Sequence, residues 1–367
     1  LSNIAIERLD VKAGQKVVVE HAPVVTSLSA VRKKVYGHVL SDNDMAEIMQ
    51  DLSEHKYRDI EIASFLSVCA GSRLNLDEII SLTRAMVQCG KRLHWPDHDK
   101  VFDKHCIGGL PGNRTTPLVV AIVSAVGLII PKTSSRAITS PAGTADTLET
   151  LFKVDYKLPE IRRIVDDVGA CMVWGGAVNL SPADDLMIRI ERELNIDGEG
   201  QLIASVLSKK IAAGSTHAII DIPVGDTAKV RTHAKADYLA SLFTQVATAC
   251  GLQVRCVITD GSKPIGAGIG PVQEAIDLLS ILKCEESAPQ DLRQRALELA
   301  ANLLDMADNC GLDSAIEIAT DILESGAAWH QFQRIATAQG GIKELPESNY
   351  SSVQLSPRKG VIHAIDN

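Results

Sequence analysis

Between Asp103 and Leu151 the sequence holds two small-residue, hydroxyl-rich loops, and each runs into a stretch that reads as a helix. The first is Lys104-His105-Cys106-Ile107-Gly108-Gly109 through Thr115-Thr116. The second is Lys132-Thr133-Ser134-Ser135-Arg136 through Gly143-Thr144. Exposed backbone N–H groups, hydroxyls and a helix N-terminus together form an anion site, and Lys104 and Arg136 supply full positive charge. Two such loops in one short block point to a dedicated phosphate pocket. Gly108, Gly109 and Gly112 permit a tight backbone, Asn113, Thr115 and Thr116 add donors, and Pro117 suits a first helical turn. The glycine spacing fits neither a Walker A loop nor a dinucleotide fingerprint, and a plain connector is the competing reading of the first loop. In the second, Ser140 or Thr144 also fits a helix cap.

Composition sets the frame for that pocket. The chain has 367 residues, 46% apolar and 23% charged, the profile of a soluble globular protein of two domains. Its net charge is −9, without a long basic run. That argues against a nucleic-acid partner, so an anionic substrate needs a local positive site. The apolar run from Pro117 to Pro131 is interrupted by Ser124 and Gly127 and is too short to span a bilayer. No signal peptide is visible and no membrane partner is expected. Eight scattered cysteines, without a CxxC pair or a Cys/His cluster, read as reduced thiols of a cytoplasmic protein. No metal site is expected; His94 and His98 flank a proline without a third ligand and read as surface residues.

Patterning predicts a three-helix support within 22–90, with Ser41 capping Asp42–Ser53, Arg58–Cys69 following, and Asn75 or Asp77 starting a helix that Gly90 stops. From about residue 100 short apolar strands alternate with helices. The strand candidates are Leu128–Lys132, Cys171–Trp174, Ala218–Val224 and Gln253–Thr259; Pro159–Val168 and Lys235–Cys250 are helices between them. This predicts an α/β, two-domain fold with a parallel or mixed sheet, and ligands at the carboxyl ends of its strands. Ala183–Leu194 and Gln201–Ala213 are further helices that fit the helical domain. Val272–Lys283, Gln290–Asn309 and Ser314–Ser325 complete the set. Leu9–Glu20 reads as a hairpin and Gly360–Ile365 as a beginning strand, so the natural protein is expected to be longer at both ends.

Three further groups invite chemistry. His105 beside Lys104 fits a donor to a substrate carbonyl or leaving group, or a structural histidine. Ser205 and Lys209 share one helix face and fit either a ligand-binding pair or a solvated lysine. Arg189 and Arg192 alternate with glutamates, as in surface ion pairs.

Together these motifs resemble the thymidine/pyrimidine-nucleoside phosphorylases. The segment from Lys132 to Asp146 is similar to the branch of archaeal AMP phosphorylases and bacterial type 2 thymidine phosphorylases. Ser181-Pro182-Ala183-Asp184-Asp185, Ile203 to Lys210 and Asp260 to Gly266 agree with it. The resemblance covers nearly the whole chain. It implies a helical domain (22–90 and 176–213) and a mixed-sheet α/β phosphate-binding domain (91–175 and 214–345) with a cleft between them. Residues 1–21 would be the remnant of an N-terminal domain and 346–367 the start of a C-terminal one.

Carried over by position, the resemblance implies phosphate binding by Lys104, Cys106, Gly108, Thr116, Ser134, Arg136 and Thr144, and base binding by His105, Arg189, Ser205 and Lys209. His105, Lys209 and Arg189 would be catalytic, with Arg192 the alternative to Arg189. The implied reaction is reversible phosphorolysis of a nucleoside or nucleoside 5′-monophosphate. Inorganic phosphate is the co-substrate, no cofactor is needed, and the assembly is a homodimer or higher homo-oligomer. The chain departs from the pattern at Cys106 (usually Ser), at an extra residue near Pro111, at Asn113 (Asp in thymidine enzymes) and at Leu186 (Tyr). Two other readings compete: an anthranilate-type phosphoribosyltransferase, with Asp184-Asp185 holding Mg²⁺, and a silent nucleotide-binding protein.

Overall fold

The computed structural model describes residues 5–6, 9–12, 14–18, 24–137, 142–178, 180–196 and 198–367. From residue 24 on, four helices come first among the described residues: α1 (Leu28–Val35), α2 (Asp42–Ser53), α3 (Asp59–Cys69) and α4 (Leu76–Gln88). Ser41 caps α2, its hydroxyl accepting from the Asp44 N–H at 3.2 Å, and Asn75 caps α4 through the Glu78 N–H at 2.9 Å. The expected three-helix support thus gains α1, tied down by a buried Lys34–Glu78 ion pair at 2.6 Å.

The sheet follows. The order of elements is β1 (Phe102–Cys106), α5 (Thr115–Ala125), β2 (Ile130–Ser134), α6 (Thr144–Glu149), α7 (Leu158–Val168) and β3 (Ala170–Trp174). Helices α8 (Pro182–Leu194) and α9 (Glu199–Ala212) intervene before β4 (His217–Val224), α10 (His233–Ala249) and β5 (Gln253–Asp260). Four helices end the fold: α11 (Pro271–Leu282), α12 (Gln290–Asp308), α13 (Leu312–Glu324) and α14 (Ala327–Ala338). Strands β1, β4 and β5 pair in that order, β2 pairs with β3, and every pairing is parallel. A bridge from Val101 to Ile129, with the Phe102 N–H donating to the Ile129 carbonyl at 2.8 Å, joins the two groups. The spatial order is therefore β3-β2-β1-β4-β5.

That order has one reversal. The chain leaves β1 toward β2 and leaves β4 toward β5, in opposite directions, so a crevice opens beyond the carboxyl ends of β1 and β4. Cys106 and Asp221 face each other there in the strand register.

Both sheet faces are covered. On β4, Ala218, Ile220 and Ile222 join the apolar cluster of α1–α4, α8, α9 and α10, while Ile219 joins the cluster of α5, α7 and α11–α14. Helix α5 is buried along nearly its whole length, which explains its apolar sequence. Helices α8 and α9 return to the first helical bundle: α8 packs on α2 and α3, and α9 on α4.

The structure alters several expectations. Strand β1 has no apolar signature because Asp103, Lys104 and His105 occupy it. The strand expected at 128–132 runs from Ile130 to Ser134, because pairing with β3 sets its limits. Helix α14 lies beyond the predicted set. The hairpin over 9–20 falls partly outside the described residues, and those described, 9–12 and 14–18, form no strand. Residues 360–365 likewise form no strand and are exposed. Gly143, not Thr144, is the N-cap of α6, and Ser140 lies outside the described residues.

Candidate active site

Alternation along β1 sends successive side chains to opposite sides. Lys104 is fully buried; its ammonium donates to Thr115 Oγ1 at 2.8 Å and Thr116 Oγ1 at 3.3 Å and lies 3.6 Å from Asp221 Oδ2. Asn113 links the same group. Its amide donates to Asp221 Oδ2 at 3.2 Å and to the Cys106 sulfur at 3.3 Å, and its carbonyl accepts from Thr115 at 3.0 Å. Thr259 donates to Asp221 Oδ1 at 2.7 Å. Burial, with Asp221 beside it, pushes the Cys106 thiol up to about 12, while the Gly108 N–H works in the other direction. Cys106 therefore stays a neutral thiol.

On the other side of β1, Asp103 meets two buried lysines, Lys210 of α9 at 2.7 Å and Lys132 of β2 at 3.3 Å. Burial lowers Lys210 below the ordinary lysine range; Asp103 opposes that shift and Lys132 reinforces it. His105 follows on this side. Burial holds its imidazole well below 6.5, and the charges of Lys210, Lys132, Lys209 and Lys104 act in the same direction. His105 is thus a neutral ring within a cationic cluster, able to donate one N–H without carrying charge.

The helical side contributes Ser205 and Lys209. Both reach Asp184 Oδ2, Lys209 at 2.5 Å and Ser205 at 2.9 Å. Burial alone would lower Lys209, but Asp184, with Asp185 and Glu191 behind it, holds it above the usual lysine value.

In the second loop, Ser134 ends β2, and its buried hydroxyl has no hydrogen-bond partner among the described residues. Thr144 accepts from Arg114 Nη1 at 3.1 Å. Arg114 is itself buried and pairs with Glu274 of α11.

Two predicted cations are not brought to this group. Arg136 forks onto Glu149 at 2.6 and 3.0 Å, reaches Asp146 at 3.1 Å and stacks over Trp174 at 4.7 Å. Arg189 is exposed and donates to Asp59 of α3 at 2.6 Å. Five residues turn a helix by roughly 140°, which carries Arg189 off the face that holds Asp184. Arg192 is exposed as well, as are His94 and His98.

The sequence reading missed Asp221, Arg114, Lys132 and Lys210 as site members and gave Asp184 only a metal-binding role in the rival reading. Arg114 and Lys132 lie inside the two loops, so loop membership was the available signal. Asp221 sits in an apolar strand, where a lone carboxylate calls for a partner.

Among the described residues, no helix is long and apolar enough to cross a membrane. Residues 28–90 match the helical bundle domain of a glycosyl transferase family, and residues 98–329 match its a/b domain. A protein of Ralstonia nicotianae named "Putative thymidine phosphorylase" is 52% identical over all 367 residues, which cover 72% of its length. One of Cupriavidus necator, "Putative thymidine phosphorylase 1", is 51% identical over the same residues and is covered to 70%. In fold the chain is similar to anthranilate phosphoribosyltransferase from Thermus thermophilus, with a TM-score of 0.71 at 19% identity, over 85% of this chain and 99% of that one. The Saccharomyces cerevisiae enzyme in complex with PRPP and Mg gives 0.69 at 15%, over 87% and 99%. Matched by both domain models and by relatives over its full length, the chain belongs to this two-domain glycosyl transferase family.

Proposed function

We propose that the protein catalyses reversible phosphorolysis of an N-glycosidic bond, acting on a nucleoside or a nucleoside 5′-monophosphate. The observation that carries this reading is the pairing, on one short strand, of a hydroxyl-cradled buried Lys104 with His105, whose imidazole burial and the nearby lysine charges hold below its ordinary range. Phosphate bound at Lys104, Thr116, Ser134 and Thr144 attacks C1′. The C1′–N bond breaks and its electron pair leaves with the base. His105, Ser205 and Lys209 donate hydrogen bonds to the base as it gains negative charge. Positioning and charge stabilisation do the work, without a covalent enzyme intermediate. For Arg189 to join the base site it must exchange Asp59 for substrate, which makes domain closure part of the proposal.

The similarity to anthranilate phosphoribosyltransferases in fold keeps Mg²⁺-dependent phosphoribosyl transfer as the rival. Asp184, its candidate metal carboxylate, is engaged by Lys209 and Ser205, and this supports phosphorolysis. Incubation with inorganic phosphate and either AMP or thymidine, with free base measured by chromatography, is the test. Phosphate-dependent adenine release identifies a nucleotide phosphorylase, and thymine release a nucleoside phosphorylase. No base from either substrate, with PRPP consumption dependent on Mg²⁺ and anthranilate, would replace this reading with the rival.

A further inference from the structure

We infer that Asp221 makes the anion site selective for oxyanions that carry a proton, so that it admits inorganic phosphate and rejects sulfate. The inference rests on the phosphate reading of the site. Its physical basis is a buried carboxylate beside the ammonium to which the phosphate reading assigns the anion. Asp221 is fully buried, and its Oδ2 is 3.6 Å from the Lys104 ammonium. The other side chains around that ammonium are donors or neutral hydroxyls: Thr115 at 2.8 Å, Thr116 at 3.3 Å, and Asn113, whose amide faces the carboxylate. An anion drawn to Lys104 therefore comes up against the negative charge of Asp221.

The carboxylate also keeps room for one more donor. Two carboxylate oxygens offer about four lone-pair sites. Thr259 occupies one on Oδ1, Asn113 one on Oδ2 and the facing Cys106 thiol a third, while Lys104 at 3.6 Å is beyond hydrogen-bond distance, so about one is left. Thr259 and Asn113 fix the carboxylate plane from both sides, so it cannot swing away to make way for a like charge. Near neutral pH both forms of inorganic phosphate retain at least one P–O–H, which can donate a short, charge-assisted bond to the free lone pair. Sulfate has the same tetrahedral shape and no proton, so at Asp221 it meets repulsion without a compensating hydrogen bond, in a site shielded from water. Sites built around such a bond reject analogues that lack the donor far more strongly than shape alone allows.

The experiment titrates inorganic phosphate and, separately, sulfate into the purified chain and into Asp221→Asn, with thermal unfolding as the check on folding. The wild-type chain is expected to bind phosphate at least ~10²-fold tighter than sulfate. Asp221→Asn replaces the acceptor with a group that can donate, and the phosphate-to-sulfate ratio should collapse toward one. A merely structural Asp221 would lower affinity for both anions and leave that ratio unchanged, which would overturn the inference. Comparable wild-type affinities for the two anions would also overturn it while leaving the phosphate site standing. Binding of neither anion by the wild type would remove the phosphate reading itself. If Asp221→Asn does not fold, Asp221→Ser makes the same comparison, with the same collapse expected.

Discussion

Lys210 of helix α9 reaches Asp103 of strand β1 at 2.7 Å, while its chain neighbour Lys209 turns to Asp184 of α8 at 2.5 Å. Consecutive helical residues point about 100° apart, so one turn of α9 is tied both to the strand carrying Lys104 and His105 and to the helical bundle. Asp103 holds Lys132 as well, at 3.3 Å.

Breaking that buried arrangement should cost stability. Lys210→Met leaves Asp103 with Lys132 alone, and removing one partner of a buried ion pair costs about 3–5 kcal/mol. Urea unfolding of the variant against wild type measures it. A loss below about 1 kcal/mol, the scale of an exposed pair, would show that Asp103 needs no second lysine.

Lys104→Met and Lys209→Met should each lower the phosphate-dependent turnover by ~10²–10³, the scale of one lost donor at developing charge. Initial rates of base release give the number. Lys104→Met should also lower the unfolding temperature, since Asp221 loses its ion pair. A fully active Lys104→Met would remove this lysine from the anion site.

His105 sets a pH dependence. Its folded form resists a proton that the unfolded chain takes up below about pH 6.5. The unfolded state therefore binds more protons in that range, so stability held above pH 6.5 is lost as the pH falls below it. His105→Gln removes this contribution. Melting temperatures at about pH 7 and about pH 5 should fall further for wild type than for His105→Gln, and equal drops would contradict the neutral-ring assignment.

Cys106 should resist alkylation. Its thiol is half-buried and pushed up to about 12, so thiolate is scarce at about pH 8. Iodoacetamide followed by peptide mass analysis should modify the exposed Cys284 and leave Cys106 unmodified in the folded protein. Rapid labelling of Cys106 would mean that the glycine loop opens readily.

Gly112→Ala should damage the phosphate loop. Gly112 has φ +75°, and an added Cβ would overlap the carbonyl oxygen of Ile265. The backbone penalty alone is roughly 1–2 kcal/mol. The loop shift should also weaken phosphate binding, because Asn113, Arg114 and Thr115 follow directly. Calorimetric titration with phosphate checks that second effect.

The capped helices were legible in the sequence because Ser41 and Asn75 act on backbone groups within three residues. The two hydroxyl loops were legible for the same local reason. Strand β1 was not, because the residues that make it functional replace the apolar pattern by which strands are read. Asp221 was hidden similarly: its amide partner Asn113 lies 108 residues away, and nothing near it in the chain shows that it is paired.

The two arginines mark the boundary between the two kinds of information. Arg114 and Arg136 each stand in a hydroxyl-rich loop, and the sequence singled out only Arg136 as an anion ligand. Arg136 is taken by Glu149 and Asp146 of the adjoining helix, whereas Arg114 is buried against Glu274, 160 residues on, and reaches Thr144. By itself the sequence determined where polar loops, caps and apolar faces lie, since those depend on neighbours along the chain. The tertiary structure alone decided which charges are buried together, because the strength of each pair depends on desolvation and on partners that only folding brings within reach.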